Sequence, residues 1–290
     1  MASRVDLHLH STASDGALRP AELVKAAALI GIRVMAVTDH DSVDGIREAQ
    51  AAACDLPIEV IPGIEVSASM NGDEVHVLGY FLDPEDGSLR EALCRLQEGR
   101  VTQARAMVER LGDLTCPLDW DRVMAIAQGG SVGRPHIARA LVERGYVASV
   151  DEAFSRFLRR GGPGYVEGQK LIPEEAVNLI REAGGVACLA HPIIVGASGY
   201  RLDLARLLPA MAEAGLEGIE VYYKGYTPEI TASLLSMACR YRLIPTGGSD
   251  YHGGGVVADA ELGAVEVPVE TVERLRARQR RTGCAPTEAG

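Results

Sequence analysis

The sequence predicts an α/β fold, a distorted barrel of about seven or eight β/α units with a helical insertion. Short apolar runs typical of strands alternate with helical patterns near both ends of the chain. This alternation stops between residues 88 and 160, where helical patterns follow one another without a strand. We therefore predict one barrel made of residues 1–98 and 166–290, with residues 99–165 as a helical cap inserted between its two parts.

The elements of the first part follow from local signals. Alternation of Leu with His predicts a strand that starts near Val5, because side chains on a strand point to opposite faces. Pro20 and Gly31 mark the start and the end of a helix over residues 18–31. Further predictions are strands at 33–38, 58–66 and 75–82, and a helix that Asp41 and Ser42 cap and that ends near residue 53. This order predicts a parallel sheet.

The cap and the second part of the barrel are predicted in the same way. For the cap, we predict a helix over 88–112, helices that begin near residues 119, 134 and 150, and a Gly- and Pro-rich hinge at 161–164. For the second part, we predict strands at 186–190, 217–222, 243–246 and 262–267, and helices from 172 and over 203–214, 228–240 and 270–281.

Two histidines near the start of the chain indicate a metal site. His8 and His10 project from the same side of the first strand, and Asp15 follows five residues later. Imidazole and carboxylate groups placed together are ligands for divalent metal ions. A short His-x-His motif also occurs by chance, so this segment alone leaves a half-buried strand with two solvated histidines as an alternative.

The rest of the chain repeats the pattern. Six of the seven histidines lie at or within strand-like runs, and Glu65 ends another such run. Catalytic groups of α/β barrels collect at one end of the strands, so a shared site explains this repetition better than chance does. The residues concerned are His8, His10, His40, Glu65, His76, His191, Asp250 and His252.

These motifs resemble those of the polymerase and histidinol phosphatase (PHP) family of metallophosphoesterases. They are His8-x-His10, Asp15, Thr38-Asp39-His40, Pro62-Gly63-Ile64-Glu65, His76, His191-Pro192 and Ser249-Asp250-x-His252. All nine positions that serve as metal ligands in the family have a matching residue here: His8, His10, Asp15, His40, Glu65, His76, His191, Asp250 and His252. The resemblance implies a distorted, TIM-like (β/α)7 barrel and extends over most of the chain.

The resemblance also implies two or three divalent metal ions, with Mn²⁺ expected ahead of Fe²⁺ or Zn²⁺. Glu65 is expected to bridge two ions, and Asp250 and His252 are expected to take part in catalysis beside it. His252 or His40, if not fully committed to metal, is expected to protonate the leaving group. The expected sets are His8, His10, Glu65 and Asp250 for one ion, Glu65, His76 and His191 for a second, and Asp15, His40 and His252 for a third. Asp39, Asp41 and Ser249 are candidates for orienting these ligands.

The cap offers candidate substrate contacts. Arg134 and His136 lie at the predicted start of a helix, which is a favourable place for an anion. Their Gly-Arg-Pro-His segment resembles one PHP branch, the small phosphatases that act on nucleotides, in which the cap binds the non-reacting phosphate. Lys170 and the cluster Tyr222-Tyr223-Lys224 are further candidates, with solvated loop charges and a packed tyrosine pair as the alternatives.

The resemblance implies a phosphomonoesterase that converts nucleoside 3′,5′-bisphosphates into nucleoside 5′-monophosphates and phosphate. Members of this branch also trim short RNA from the 5′ end. A histidinol-phosphate phosphatase, another small phosphoester hydrolase and a PHP module without catalysis remain alternatives. Amidohydrolase barrels also begin with His-x-His, but they commonly bridge their metals with a carboxylated lysine, and here Glu65 occupies the bridging position.

Charge and composition limit the partners. The net charge of −11 argues against binding to duplex DNA or to an anionic membrane surface, although it is compatible with a small nucleotide or short RNA at a metal site. The first strand is predicted almost at once and no apolar run reaches the length of a bilayer. We therefore expect a cytoplasmic protein without a signal peptide.

Overall fold

The computed structural model describes residues 4–168, 170–194, 202–253 and 261–282, and seven strands in these ranges form one sheet in the order β1 to β7. The first part of the barrel contains β1 (Val5–Leu9), α1 (Pro20–Leu29), β2 (Val34–Val37), α2 (Ile46–Ala53), β3 (Glu59–Met70) and β4 (Asp73–Tyr80). The second part contains α7 (Pro173–Glu182), β5 (Val186–Leu189), α8 (Leu204–Glu213), β6 (Gly218–Tyr223), α9 (Pro228–Tyr241), β7 (Ile244–Gly248) and α10 (Glu270–Thr282).

The cap is helical, as predicted. It consists of α3 (Gly87–Asp113), α4 (Trp120–Ala127), α5 (Arg134–Glu143) and α6 (Val150–Ala153), which continues as a π-helical turn over Phe154–Leu158. Its buried side chains form a hydrophobic cluster of their own that includes Leu111, Ile137 and Leu158. The proposed boundary between residues 98 and 99 lies inside α3, so one helix leads from the barrel into the cap.

The sheet is mixed, and this corrects the prediction of parallel strands throughout. β3 and β4 form an antiparallel hairpin, and β4 also runs antiparallel to β5. Asn71 and Gly72 make the turn with φ of +52° and +85°, a left-handed conformation that favours these two residue types. Because β4 starts where β3 ends, His76 near its beginning lies close to Glu65 on β3 even though the strand direction is reversed.

The barrel closes through Asp6 and the segments that follow β7. The backbone N–H of Asp250 donates to the carbonyl of His8 at 2.9 Å, and the N–H of His10 donates to that of Tyr251 at 3.0 Å. Oδ1 of the buried Asp6 accepts the N–H of Ser249 at 2.9 Å. These bonds hold β1 beside the end of β7.

Two predicted elements were wrong. The strand over 262–267 is absent from the described residues, because Gly263 turns with φ of +70° and donates its N–H to Asp6 Oδ2 at 3.1 Å. The predicted cap of α2 is also absent, since α2 starts only at Ile46 after Gly45. Asp41 has φ of +49°, and its carboxylate accepts the N–H of Ser67 at 2.7 Å.

In the described part of the chain, every helix is either too short or too polar to cross a membrane.

Candidate metal centre and substrate cleft

Glu65 is the centre of the site. It is fully buried in β3, and five imidazoles surround its carboxylate. Oε1 lies 2.8 Å from Nδ1 of His76 and 2.9 Å from Nε2 of His191. Oε2 lies 3.1 Å from Nδ1 of His40 and 3.2 Å from Nε2 of both His8 and His10. One carboxylate on β3 therefore links side chains from β1, from β4 and from the segments that follow β1, β2 and β5.

Two aspartates complete the cluster. Oδ1 of Asp250 lies 3.3 Å from Nε2 of His8 and 3.2 Å from Nε2 of His10. Oδ1 of Asp15 lies 3.4 Å from Nε2 of His252, and its Oδ2 lies 3.9 Å from Nε2 of His40. The fold thus brings together all nine residues that the sequence proposes as metal ligands.

The donor atoms fit divalent cations. Among the described residues, three sets have ligand atoms within 4.8 Å of one another: His10, Asp15, His40 and His252; His8, His10, Glu65 and Asp250; and His40, Glu65 and His76. Five of their buried atoms lack a hydrogen-bond partner: His8 Nε2, both ring nitrogens of His10, His40 Nδ1 and Glu65 Oε2. Buried polar atoms are rarely unpartnered, so these atoms point to bound cations. His191, expected beside Glu65 and His76, belongs to none of the three sets.

The cluster perturbs the protonation of its members. Burial alone would raise the pKa of Glu65, but His40, His8 and His76 hold that pKa well below its usual range. Burial lowers the pKa of the imidazoles, yet hydrogen bonds to Asp250 and Glu65 raise that of His10 to about 10. Glu65 likewise raises the pKa of His76 to about 9 against the effect of burial. Without cations, the acidic ligands therefore retain protons on His10 and His76.

Glu220 on β6 forms hydrogen bonds with two residues of the cluster, and it was not predicted from the sequence. It is fully buried, and its Oε1 accepts a hydrogen bond from Nδ1 of His8 at 3.1 Å. Its Oε2 accepts the backbone N–H of His191 at 2.7 Å. A carboxylate that holds one ring nitrogen fixes the tautomer and directs the other nitrogen towards the metal side. A single Glu within an apolar strand was the available signal.

The expected orienting residues have other partners. Asp39 accepts hydrogen bonds from the backbone N–H and the hydroxyl of Ser11, both at 2.7 Å. Asp41 binds the guanidinium of Arg100 on α3, with Nε of Arg100 2.5 Å from Asp41 Oδ2. Ser249 contributes its backbone N–H to Asp6. These residues hold the loops around the cluster.

A cleft opens beside the cluster and reaches the cap. Its lining includes the predicted ligands Asp15, His40 and His76, the basic residues Arg100, Arg134 and Lys170, and Glu74 on β4. Arg134 Nη2 lies 2.5 Å from Oε2 of Glu74, and Lys170 Nζ lies 2.5 Å from its Oε1. The sequence pointed to Arg134 and Lys170, whereas Arg100 and Glu74 were missed.

The other proposed substrate contacts, His136, Tyr223 and Lys224, do not line this cleft. Nδ1 of the buried His136 accepts the backbone N–H of Gly133 at 3.0 Å and so holds the first turn of α5. The hydroxyl of Tyr223 donates to Oδ2 of Asp250 at 2.6 Å. Lys224 Nζ lies 3.3 Å from the same oxygen. Tyr223 and Lys224 therefore position a proposed metal ligand.

Comparisons with known proteins agree with this geometry. The sequence profile of the PHP domain matches residues 6–157. The chain is 35% identical to the 5′-3′ exoribonuclease Rnm of Salmonella typhimurium over 252 residues, 85% of this chain and 84% of the relative. It is 36% identical to a 3′,5′-nucleoside bisphosphate phosphatase of Chromobacterium violaceum over 257 residues, 87% of this chain and 88% of the relative.

A crystal structure of a metal-dependent phosphoesterase from Bifidobacterium adolescentis has the same fold. It superimposes with a TM-score of 0.87 at 32% identity and covers 94% of this chain and 96% of its own. The profile match covers more than half of the chain, and the barrel and the cluster of histidines and carboxylates agree with it. The chain belongs to the PHP family of metal-dependent phosphoesterases.

Proposed function

We propose that this protein removes the 3′-phosphate of nucleoside 3′,5′-bisphosphates and releases a nucleoside 5′-monophosphate and phosphate. One observation carries this proposal: a single cleft joins the candidate metal ligands to Arg134 and Lys170. A substrate with two phosphates can then place one at the metal cluster and the other at the cap. The Chromobacterium violaceum relative, named for this activity, adds support.

The basic wall of the cleft is suited to a phosphate. Arg100, Arg134 and Lys170 face two carboxylates, Asp41 and Glu74, which leaves one positive charge in excess. Burial lowers the pKa of Lys170, and Arg134 and Arg100 lower it further against the opposing effect of Glu74. A bound phosphate relieves this repulsion through charge-assisted hydrogen bonds. We assign the 5′-phosphate to this wall, with His136 supporting the turn that carries Arg134.

The metal cofactor is proposed to be two or three divalent ions, with Mn²⁺ ahead of Fe²⁺ and Zn²⁺. The nine residues that would hold them are His8, His10, Asp15, His40, Glu65, His76, His191, Asp250 and His252. Bound cations would supply Lewis-acid activation of water and stabilise the charge that develops on the phosphate.

The chain itself contributes positioning and proton transfer. Arg134 and Lys170 hold the non-reacting phosphate, so that the scissile phosphate is directed to the cluster. Tyr223 and Lys224 fix the carboxylate of Asp250. Of His252 and His40, the imidazole that is not committed to a cation is the proposed donor of a proton to the departing 3′-oxygen; Nε2 of His252 lies 3.4 Å from Asp15 Oδ1.

Trimming of short RNA from its 5′ end is a second candidate activity. Relatives from Salmonella typhimurium and Escherichia coli, each 35% identical over 252 residues, are named 5′-3′ exoribonucleases. Such a substrate presents the same 5′-phosphate to Arg134 and Lys170. Water then attacks the next phosphate, the bond to the 3′-oxygen of the first nucleotide breaks, and the attacked phosphate remains on the 5′-oxygen of the shortened RNA. The proposed site of action is the cytoplasm.

Phosphate release by Mn²⁺-loaded protein tests the proposal. The substrates are adenosine 3′,5′-bisphosphate, 3′-AMP, 5′-AMP and histidinol phosphate. A 5′-phosphorylated short RNA is followed by release of nucleoside 5′-monophosphate instead, because its trimming frees no phosphate. We expect a higher kcat/KM for the bisphosphate than for 3′-AMP, because only the bisphosphate fills the basic wall. Equal cleavage of the bisphosphate and 3′-AMP, or better cleavage of histidinol phosphate, contradicts the assignment.

A further inference from the structure

Glu74 lies between the metal cluster and the basic wall of the cleft. It is two residues before His76 on β4, so both side chains project from the same face of the strand. Oε1 of Glu74 lies 3.3 Å from Nε2 of His76 and 2.5 Å from Nζ of Lys170. Nη2 of Arg134 lies 2.5 Å from the other carboxylate oxygen of Glu74, Oε2. Any substrate that spans from the cluster to Arg134 passes this carboxylate.

Glu74 retains the capacity to bind a further donor. Its side chain is 26% exposed and lines the cleft. Although it forms ion pairs with Arg134 and Lys170, it therefore still borders the space in which we place the substrate. An ionised carboxylate has about four lone-pair sites and no hydrogen to donate. The ion pairs of Glu74 with Arg134 and Lys170 agree with an ionised group. Glu74 therefore repels a phosphate and accepts a hydrogen bond from a hydroxyl.

The chemistry of the substrate identifies that hydroxyl. In a nucleoside 3′,5′-bisphosphate, the sugar links the two phosphates, and its 3′- and 5′-oxygens are both esterified. The 2′-hydroxyl is then the only hydroxyl that the sugar can donate. We propose that Glu74 accepts a hydrogen bond from the ribose 2′-hydroxyl and makes the enzyme prefer ribonucleotides to 2′-deoxyribonucleotides. This inference rests on the proposed function, because it uses the substrate pose in which the phosphates occupy the cluster and the wall.

The expected preference follows from the strength of such a bond. A hydrogen bond to a charged group contributes enough for a roughly 10- to 100-fold difference in kcat/KM between a ribonucleotide and its 2′-deoxy analogue. Glu74→Gln also disturbs Arg134 and Lys170 and weakens both substrates. The ratio between the two substrates removes this shared effect, as in a double-mutant cycle.

The test compares adenosine 3′,5′-bisphosphate with its 2′-deoxy analogue as substrates of the Mn²⁺-loaded protein. Wild type is expected to prefer the ribonucleotide roughly 10- to 100-fold, and Glu74→Gln is expected to reduce this ratio to about 1 to 3. Glu167→Gln is the matched control, because Glu167 is an exposed acid near Arg160 and does not line this cleft. It should keep the wild-type ratio. Equal kcat/KM values for both substrates in wild type, or an unchanged ratio in Glu74→Gln, overturn the inference.

Binding separates this inference from the proposed activity. Calorimetric titration of the chelator-treated protein gives Kd for both nucleotides without turnover. A ribonucleotide preference that Glu74→Gln abolishes in Kd supports the role of Glu74 even if wild type releases no phosphate, a result that would contradict the proposed function alone. Rapid phosphate release with no preference in kcat/KM or in Kd leaves the proposed function intact and rejects the role of Glu74.

Discussion

Oε1 of Glu220 lies 3.1 Å from Nδ1 of His8, and both side chains are fully buried. A carboxylate only accepts hydrogen bonds, so Nδ1 of His8 carries the proton and Nε2 faces Glu65 and Asp250. The other oxygen of Glu220 accepts the N–H of His191. Glu220 thus holds both the imidazole of His8 on β1 and the loop after β5. We propose that it contributes to metal affinity in this way.

Glu220→Gln is expected to weaken divalent metal binding about 10- to 100-fold, because the amide loses the charge that polarises His8 and holds only one of its two partners well. Competition between the protein and a chromophoric chelator for Mn²⁺ or Zn²⁺ measures this loss. Glu217→Gln is the control, since Glu217 pairs with Arg278 just before β6 and does not contact the cluster. A metal affinity that Glu220→Gln leaves unchanged would refute the orienting role.

Glu65→Gln is expected to abolish turnover and to reduce the amount of bound metal. An amide cannot supply two anionic oxygens to the imidazoles that now face Oε1 and Oε2 of Glu65. Metal content after dialysis and phosphate release together measure the effect. Glu59→Gln serves as the control on the same strand, because Glu59 is paired with Arg276 at the surface. Full metal occupancy in Glu65→Gln would exclude a shared ligand at this position.

The candidate metal ligands could be identified because their signal is local. His8 and His10 alternate with leucines, and Glu65 ends an apolar run, so residue type and position in the strand were both visible. Glu220 has the same local signature, a polar residue in an apolar strand, but it has no second ligand-type residue beside it. Its partner His8 is 212 residues away, and only the closed barrel brings them together.

The errors in the fold have equally specific causes. Asn71-Gly72 is a strong hairpin signal, and recognising it would have predicted the antiparallel β4. The false strand over 262–267 was an apolar run whose backbone instead turns towards the buried Asp6. Arg100 was missed because a long helix carries it from the barrel into the cap, where Asp41 and Ser67 bind it. Long-range ion pairs of this kind leave no pattern in the sequence.

Arg134→Ala is expected to raise KM for adenosine 3′,5′-bisphosphate with a smaller effect on kcat. The fall in kcat/KM should correspond to a loss of roughly 2–4 kcal/mol in transition-state stabilisation, because the change removes a charge-assisted contact to the non-reacting phosphate. Steady-state kinetics measure it. Arg122→Ala is the control within the cap, as Arg122 forms an exposed pair with Glu143. If Arg134→Ala has wild-type kinetics, the cap takes no part in binding the 5′-phosphate.

The metal-free protein is expected to lose stability as the pH rises from about 7 to about 9. The folded state raises the pKa of His10 to about 10 and that of His76 to about 9, from 6.5 in the unfolded chain. A raised histidine pKa stabilises the fold fully below pH 6.5, and this contribution is lost as the pH passes through the folded value. Burial lowers the pKa of His40 to about 3, so the contribution of His40 to stability changes only below pH 6.5. It does not alter the trend between about pH 7 and about pH 9.

Thermal unfolding of the chelator-treated protein at about pH 7 and about pH 9 tests this linkage, with His76→Gln as a variant that should show a smaller fall in Tm. Bound cations displace the protons of His10 and His76, so the rise in Tm on adding Mn²⁺ should grow over the same pH range. With rising pH, the Tm of the chelator-treated protein should therefore fall while the increase in Tm caused by Mn²⁺ grows. These opposite trends distinguish the linkage from a general effect of alkali on an acidic protein. A chelator-treated protein equally stable at both pH values would mean that these imidazoles are already neutral, and then metal binding would release no protons.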